Sequence, residues 1–237
     1  MSDFKDKVVM VTGAAGNLGG ATARAFMAAG ARLILVDLRQ DVLEERFPEL
    51  QEDGNHVFAG VDLTEVGAVE GMVYEVVQQV DRIDVLANIA GGFRSGTPVH
   101  ETPLDTWEFM MNLNARSVLA TARAVAPHML QQKAGKVISV ASRNALKGGA
   151  NSAAYGAAKS AVMRLTESMS AELKASGINV NCVIPGTIDT PENRDSMPNA
   201  DFEKWVQPEA IADVILFLAS EQARAIHGAC VPIYGLT

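Results

Sequence analysis

The chain has 237 residues and a formal net charge of −8; 48% of its residues are apolar and 20% are charged. This length and composition fit one globular domain with a sizeable core. The acidic balance, with no basic patch, argues against a nucleic-acid surface. The N-terminal sequence MSDFKDK has no apolar signal core, and no apolar run is long enough to cross a bilayer.

The cysteines and histidines indicate neither a disulfide framework nor a metal site. Cys182 and Cys230 stand far apart and form no CxxC motif, which suits a reducing compartment. The four histidines show no metal-ligand spacing. We therefore expect a cytoplasmic protein with no metal, no nucleic-acid partner and no membrane partner.

Short runs rich in valine and isoleucine alternate along the chain with longer amphipathic or alanine-rich runs. The short runs do not alternate cleanly between apolar and polar residues, which is typical of strands buried on both faces of a parallel sheet. Strands are predicted over 8–12, 32–37, 56–62, 84–90, 136–142, 178–186 and 229–234. Helices are predicted over 18–29, 41–51, 65–80, 105–131, 153–175 and 208–220.

This alternation predicts an α/β fold with a single domain over 1–237. The expected architecture is a Rossmann-type, doubly wound parallel sheet of about seven strands with helices on both faces. The segment 191–207 breaks the alternation, because it is polar, holds two prolines and carries Phe202 and Trp205. We expect it to be a surface excursion on the substrate side, and it could act as a lid.

The turn after the first predicted strand is rich in glycine, with glycines at 13, 16 and 19. Such a turn lets a pyrophosphate approach backbone N–H groups at a helix N-terminus. The second strand ends in Asp37, where a carboxylate can bond an adenosine ribose and repel a 2′-phosphate. Alternatively, the glycines fill a tight turn and Asp37 caps the next helix. Arg39 leaves NADP open, because a nearby arginine can pair with a 2′-phosphate.

Tyr155 and Lys159 lie four residues apart in SAAYGAAKSA, so in a helix they share one face. A tyrosine with a pKa of about 10 is a poor base near neutral pH. A nearby ammonium favours the phenolate and lowers that pKa. The small residues around the pair are expected to leave room for a cofactor and a substrate. The alternative is an ordinary surface pair.

The chain resembles the short-chain dehydrogenase/reductase family over nearly its full length. The matching residues come in the family's order: TGAAGNLG at 12–19, Asp37, Asp62–Leu63, NIAG at 88–91, Asn114, Ser142, YGAAK at 155–159 and PGTIDT at 185–190. One departure is Asn17, which stands where single-domain members usually have glycine. Asparagine tolerates left-handed backbone geometry, so we expect the turn to survive with the Asn17 side chain near the phosphates.

The resemblance implies four catalytic roles. Tyr155 is the acid/base, and Ser142 polarises the substrate oxygen. Lys159 tunes Tyr155 and bonds the nicotinamide ribose, while Asn114 holds a water that links Lys159 to solvent. A serine after a strand is often only a cap, and Asn114 could simply satisfy backbone groups.

The resemblance also implies which residues contact the dinucleotide. For Asn88 the alternative is that it only ties neighbouring strands together. The expected cofactor contacts are Gly13, Gly16, Asn17, Leu18, Gly19, Asp37, Asp62, Leu63, Asn88, Ala90, Gly91, Tyr155, Lys159, Pro185, Gly186, Ile188 and Thr190.

The substrate side is poorly specified by the sequence. Loops after two strands, 92–94 and 143–146, are candidates because ligands bind beyond the carboxyl ends of strands. Arg94, Arg143 or Lys147 could hold an anionic substrate, whereas charged residues on such loops are often simply solvated.

Together these features predict an NAD(P)(H)-dependent oxidoreductase that interconverts a secondary alcohol and a ketone, with NAD favoured over NADP. The alternatives are a dihydropteridine-type reductase, which Ser142 disfavours, and a non-catalytic dinucleotide-binding sensor or scaffold, which the complete Ser–Tyr–Lys set disfavours. The resemblance implies a homodimer or homotetramer that packs helices 105–131 and 153–175 against their symmetry mates. The apolar residues on those helices that permit this packing include Met110, Met111, Leu113 and Met163.

Overall fold

The computed structural model describes residues 4–51 and 54–237. Within these ranges one seven-stranded sheet has the order β3-β2-β1-β4-β5-β6-β7, and every neighbouring pair is parallel. The predicted doubly wound parallel sheet is confirmed. The strands are β1 (Val8–Thr12), β2 (Arg32–Asp37), β3 (Val57–Gly60), β4 (Val85–Asn88), β5 (Gly135–Val140), β6 (Ile178–Pro185) and β7 (Cys230–Ile233).

The helices cover both faces of the sheet. They are α1 (Asn17–Ala28), α2 (Gln40–Arg46), α3 (Val66–Val80), α4 (Leu104–Met111), α5 (Ser117–Gln132), α6 (Ala153–Leu173), α7 (Pro191–Ser196) and α8 (Pro208–Ala219).

Strand β1 shows why the strand runs do not alternate in polarity. All five of its residues are buried, since Val9 and Val11 pack with α1 and α8, while Val8 and Met10 pack with α3 and α5. The order of strands reverses between β1 and β4, the point at which such sheets bind ligands. We therefore expect a binding site at the carboxyl ends of these two strands.

The prediction of one uninterrupted helix over 105–131 is wrong. A π-helical turn, Asn112–Arg116, separates α4 from α5. Within it the Asn114 side chain donates to the Met110 carbonyl at 3.1 Å, and an amide that bonds a carbonyl one turn earlier locally disturbs the regular helical ladder. Such π-helical turns are frequent at functional sites.

The predicted helix over 41–51 is also shorter than expected. Helix α2 ends at Arg46, and Pro48 begins a separate 3-10 turn that ends at Leu50. Proline lacks the backbone N–H that would continue the α-helix, so the chain restarts there. Farther along, Gly177 ends the turn after α6 with φ of +79°, a left-handed conformation that favours glycine.

The excursion 191–207 contains a helix that the sequence analysis did not identify. Helix α7 starts with Pro191 at its first position, and the Thr190 hydroxyl accepts a hydrogen bond from the Asn193 N–H at 3.3 Å. At the base of the excursion, Asp189 accepts hydrogen bonds from Arg194 and Gln207, each at 2.7 Å. These bonds, that of Arg194 first, hold the pKa of Asp189 at about 2.

Candidate active site

Helix α6 and the end of β5 form one wall of a large cavity. Tyr155 lies in the first turn of α6, and Lys159 follows one turn later and is buried. The Lys159 ammonium donates to the carbonyl of Val140, the last residue of β5, at 2.8 Å. This bond fixes the helix against the strand end that leads into Ser142.

The electrostatics of Tyr155 depend on two opposing effects. Burial raises the pKa of Tyr155, and a hydrogen bond with the Ser142 hydroxyl partly opposes that rise. The Ser142 oxygen also accepts the Asn144 N–H at 3.2 Å and so caps the short 3-10 turn Arg143–Ala145. Ser142 thus fills the capping role considered as an alternative and also contacts the phenol.

Burial also affects the protonation of Lys159. Burial lowers its pKa from 10.5 to about 8, because the charged form loses its hydration. Its ammonium does not bond the Tyr155 oxygen directly. Any effect of Lys159 on the phenol therefore acts through space rather than through a shared hydrogen bond.

Some small residues near Tyr155 let α6 pack closely, and others, namely Ser152, Ala153 and Ala154, line a second pocket of about 390 Å³. Ala154 and Ala158 are buried and do not line the large cavity. At Gly156 a Cβ atom would lie 3.2 Å from the Asn144 carbonyl oxygen. Small side chains let α6 lie close to the turn after Ser142, and this approach brings the phenol to the serine.

Asn114 is buried and ties the π-helical turn to the chain after β4. Its side chain accepts the Gly92 N–H at 3.1 Å and donates to the Gly92 carbonyl at 3.1 Å. A Cβ atom placed on Gly91 would lie 2.8 Å from Asn114 Oδ1 and 3.1 Å from Lys159 Nζ. Asn114 and Lys159 are therefore neighbours, although Asn114 itself does not line the cavity.

The opposite end of the cavity is the glycine-rich turn. Gly13 has φ of +67°, and a Cβ atom there would lie 2.8 Å from Ala90 Cα. A Cβ atom on Gly19 would lie 1.9 Å from the Gly13 carbonyl oxygen, so α1 could not approach the turn. The α1 N-terminus opens on the cavity through Gly16 and Asn17. This is the geometry that admits a phosphate to free backbone N–H groups.

Two carboxylates line the cavity near this turn. Asp37 accepts the Ala15 N–H at 2.9 Å and the Leu38 N–H at 2.8 Å, so the backbone fixes its orientation. Asp62 accepts the backbone N–H of Thr64 at 2.9 Å and its hydroxyl at 2.7 Å. Arg39 bonds the Asp41 carboxylate, with Nε 3.0 Å from Oδ1.

The cavity has a volume of about 1250 Å³ and runs from this turn to Tyr155. All the expected cofactor contacts except Asn88 line it. Asn88 is buried beneath, where it accepts from the Thr121 hydroxyl at 2.7 Å and donates to Ser139 at 3.4 Å. Its side chain ties β4 to β5 and α5, which is the alternative role given above for Asn88.

A family model described as short chain dehydrogenase matches residues 7–201. The chain belongs to the short-chain dehydrogenase family. It is 34% identical to meso-2,3-butanediol dehydrogenase from Serratia marcescens over 98% of this chain and 94% of that protein. It is 32% identical to a (2S)-[(R)-hydroxy(phenyl)methyl]succinyl-CoA dehydrogenase subunit from Thauera aromatica over 98% of this chain and 96% of that one.

Solved structures agree with this short-chain dehydrogenase in fold. The structure of NAD+-bound xylitol dehydrogenase matches with a TM-score of 0.90 at 28% identity, covering 98% of this chain and 99% of that one. Within residues 4–51 and 54–237, no helix is long and apolar enough to cross a membrane. The same residues contain no group of three or more histidine, cysteine or acidic side chains placed to hold a metal.

Of the side chains that line the cavity, Phe93 and those of α7 fall in segments that the sequence singled out, whereas those of α4 were not predicted. Phe93 meets Tyr155 edge-on, with ring centroids 4.8 Å apart. The Thr190–Pro191 pair is a helix-start signal that could have revealed α7. Side chains from α4 and α7 also line the cavity, namely Phe109, Glu192, Asn193 and Ser196.

The three candidate cations for an anionic substrate are placed differently. Arg143 lines the large cavity, with its guanidinium 5.8 Å from the Tyr234 ring centroid. Arg94 stacks on Phe109 at 3.6 Å and lines a separate pocket of about 390 Å³. Lys147 is exposed and lines neither pocket.

Proposed function

We propose that this short-chain dehydrogenase interconverts a secondary alcohol and a ketone by NAD(H)-dependent hydride transfer. The observation that carries the proposal is one cavity with two ends. At one end Ser142, Tyr155 and Lys159 come together, and at the other a glycine turn opens a helix N-terminus. The names of the relatives, a butanediol dehydrogenase and a xylitol dehydrogenase, support an alcohol substrate.

Tyr155 is the acid/base in this proposal. It gives its phenolic proton to the substrate oxygen during reduction and takes a proton from the alcohol during oxidation. The Ser142 hydroxyl, which interacts with the phenol, donates to the same substrate oxygen as negative charge develops there. A neutral donor suits this position because it stabilises charge without carrying one into the site.

Lys159 and Asn114 return the proton to solvent. The lowered pKa of Lys159, about 8, lets its ammonium release and regain a proton near neutral pH. Because Asn114 lies beside it and keeps Gly92 in place, a water held between them completes the relay. The Val140 carbonyl orients the ammonium throughout.

The residues of the cavity fit a nicotinamide dinucleotide. The missing side chains at Gly13 and Gly91 leave backbone exposed where bulkier residues would collide with their neighbours. The α1 N-terminus would hold the pyrophosphate, and Asp37 would bond the adenosine ribose. Asp37 favours NAD, since a carboxylate repels a 2′-phosphate and Arg39 already pairs with Asp41. When bound, the nicotinamide ring supplies or accepts the hydride.

We also propose that the chain forms a homodimer or homotetramer through α4, α5 and α6. Met110 and Met163 are buried within the chain itself, so they are not the interface residues that the sequence suggested. The proposed interface instead uses exposed apolar side chains on α4 and α5, namely Leu104, Trp107, Leu119 and Leu130. Sedimentation at micromolar concentration tests this proposal, and a monomer would contradict it.

The function is tested first by fluorescence titration with NADH and, separately, NADPH. We expect NADH to bind at least about tenfold more tightly than NADPH. In Asp37→Ala the two dissociation constants should lie closer together, because the repulsion of a 2′-phosphate is lost. A panel of secondary alcohols and ketones, including 2,3-butanediol and xylitol, then tests turnover. Dinucleotide binding without turnover of any panel member favours a sensor or scaffold. Binding of neither dinucleotide overturns the proposal.

A further inference from the structure

A carboxylate lies at the point where a dinucleotide's pyrophosphate would enter. Glu192, the second residue of α7, accepts a hydrogen bond from the Asn17 side-chain amide at 2.8 Å. Asn17 is the first residue of α1, 175 positions away, and both residues line the large cavity. This contact connects the excursion 191–207 to the glycine turn across the cavity.

Among the described residues that line the cavity, none beside this contact carries a positive charge that would offset the Glu192 carboxylate. The basic side chains among these described residues are Lys159 and Arg143, and both belong to the catalytic and substrate end. The arginine nearest in sequence, Arg194, is bonded to Asp189. A pyrophosphate at the α1 N-terminus would therefore meet Glu192 with no cationic side chain to offset the repulsion.

We propose that Glu192 is a residue that limits dinucleotide affinity and speeds release, with Asn17 holding it in place. This inference rests on the proposed function. Before the dinucleotide binds, the Asn17 amide donates its hydrogen bond to Glu192. A pyrophosphate competes for the same amide. Binding must therefore break one charge-assisted hydrogen bond and turn the carboxylate away from the phosphates. Both costs disappear when the carboxylate is removed.

The test is the NADH dissociation constant, measured by fluorescence titration and, for the off-rate, by stopped-flow displacement. We expect Glu192→Gln to bind NADH about three- to tenfold more tightly than the unmodified chain, mainly through slower release. The matched control is Asp195→Asn, which removes one charge from the same helix at an exposed position that does not line the cavity. The control should change the constant by less than about twofold.

Two further measurements separate charge repulsion from a merely structural role. The difference between Glu192→Gln and the unmodified chain should shrink as salt rises from about 0.02 M to about 0.5 M, because salt screens an exposed carboxylate. In an Asn17→Ala background, Glu192→Gln should give less than half of the gain in NADH affinity that it gives in the unmodified chain, since the carboxylate is then free to turn into solvent.

The outcomes distinguish this inference from the proposed function. If the unmodified chain binds NADH and Glu192→Gln binds it equally or less tightly, the inference is wrong while the proposed function stands. The inference is also wrong if Asp195→Asn gives the same gain, because the effect is then one of overall charge. If no variant binds either dinucleotide, both the inference and the proposed function fail.

Discussion

Lys159 and Phe93 lie on the same cavity, yet Lys159 is 4% exposed and Phe93 is 58% exposed. Lys159 belongs to the catalytic wall, which comprises Asn114, Ser142, Tyr155 and Lys159. Phe93 belongs to the substrate rim, which comprises Phe93, Arg143 and Met197. In the wall, backbone groups of other elements bond Lys159 and Asn114.

The side chains of the rim are exposed and come from loops and from the residue that follows α7. Under the proposed function, the sheet and helices fix where the reaction takes place. The choice of substrate would then depend on residues that the fold constrains little. Substitutions in the wall should therefore change chemistry or stability, and substitutions in the rim should change mainly KM.

The largest effect is expected from Tyr155→Phe. Removing the phenolic oxygen eliminates the proton donor and acceptor, and we expect the turnover rate to fall about 10³-fold. NADH affinity should change by less than about threefold, because the ring stays in place. The measurement is kcat with the best substrate of the panel, beside an NADH titration. Turnover that survives the substitution unchanged would contradict the assignment of Tyr155 as acid/base.

Asn114→Ala should lower the free energy of unfolding by about 2 kcal/mol, because backbone groups of Gly92 and Met110 lose their hydrogen-bond partners. Urea denaturation measures the effect. Asn112→Ala is the matched control: it removes the same amide from the same π-helical turn at a cavity-lining position. We expect it to cost less than about 0.5 kcal/mol. Equal losses in the two variants would show that Asn114 has no special role in the wall.

Lys159 should make stability depend on pH. Its pKa is about 8 in the folded chain and 10.5 ordinarily, so between these values the unfolded chain holds more protons. The free energy of unfolding therefore rises with pH across this window, on the order of 2 kcal/mol. Lys159→Met should abolish that rise, whereas Lys147→Met, at an exposed position, should keep it. Parallel pH profiles for Lys159→Met and the unmodified chain would contradict the burial effect.

The smallest effect is expected at the rim. Phe93→Leu removes an edge-on ring contact with Tyr155, a contact worth about 0.5–1.5 kcal/mol. We expect KM for the best alcohol to rise by about two- to fivefold, with kcat changed less than twofold. Steady-state kinetics measure both constants. A fall in kcat as large as that of Tyr155→Phe would place Phe93 in the wall and remove the distinction between the two regions.

Much of the fold could be predicted from the sequence, because its signals are local. Buried parallel strands are runs of valine and isoleucine, and each of the seven predicted runs overlaps a strand of the sheet. The break at Asn112–Arg116 could not be predicted, since it accompanies a side chain that bonds both its own helix and Gly92. The role of Asn88 stayed open for a related reason, because the sequence does not show which way its amide points.

By itself, the sequence determined the parallel sheet, the glycine turn and the spacing of Ser142, Tyr155 and Lys159, because each follows from residue types at short range. Only the tertiary structure decided the pKa shifts of Lys159 and Tyr155. Burial of Lys159 lowers its pKa, and the packing of α6 on the turn after β5 brings Ser142 to Tyr155. The contact between Asn17 and Glu192 likewise depends on the fold, since it joins residues 175 positions apart.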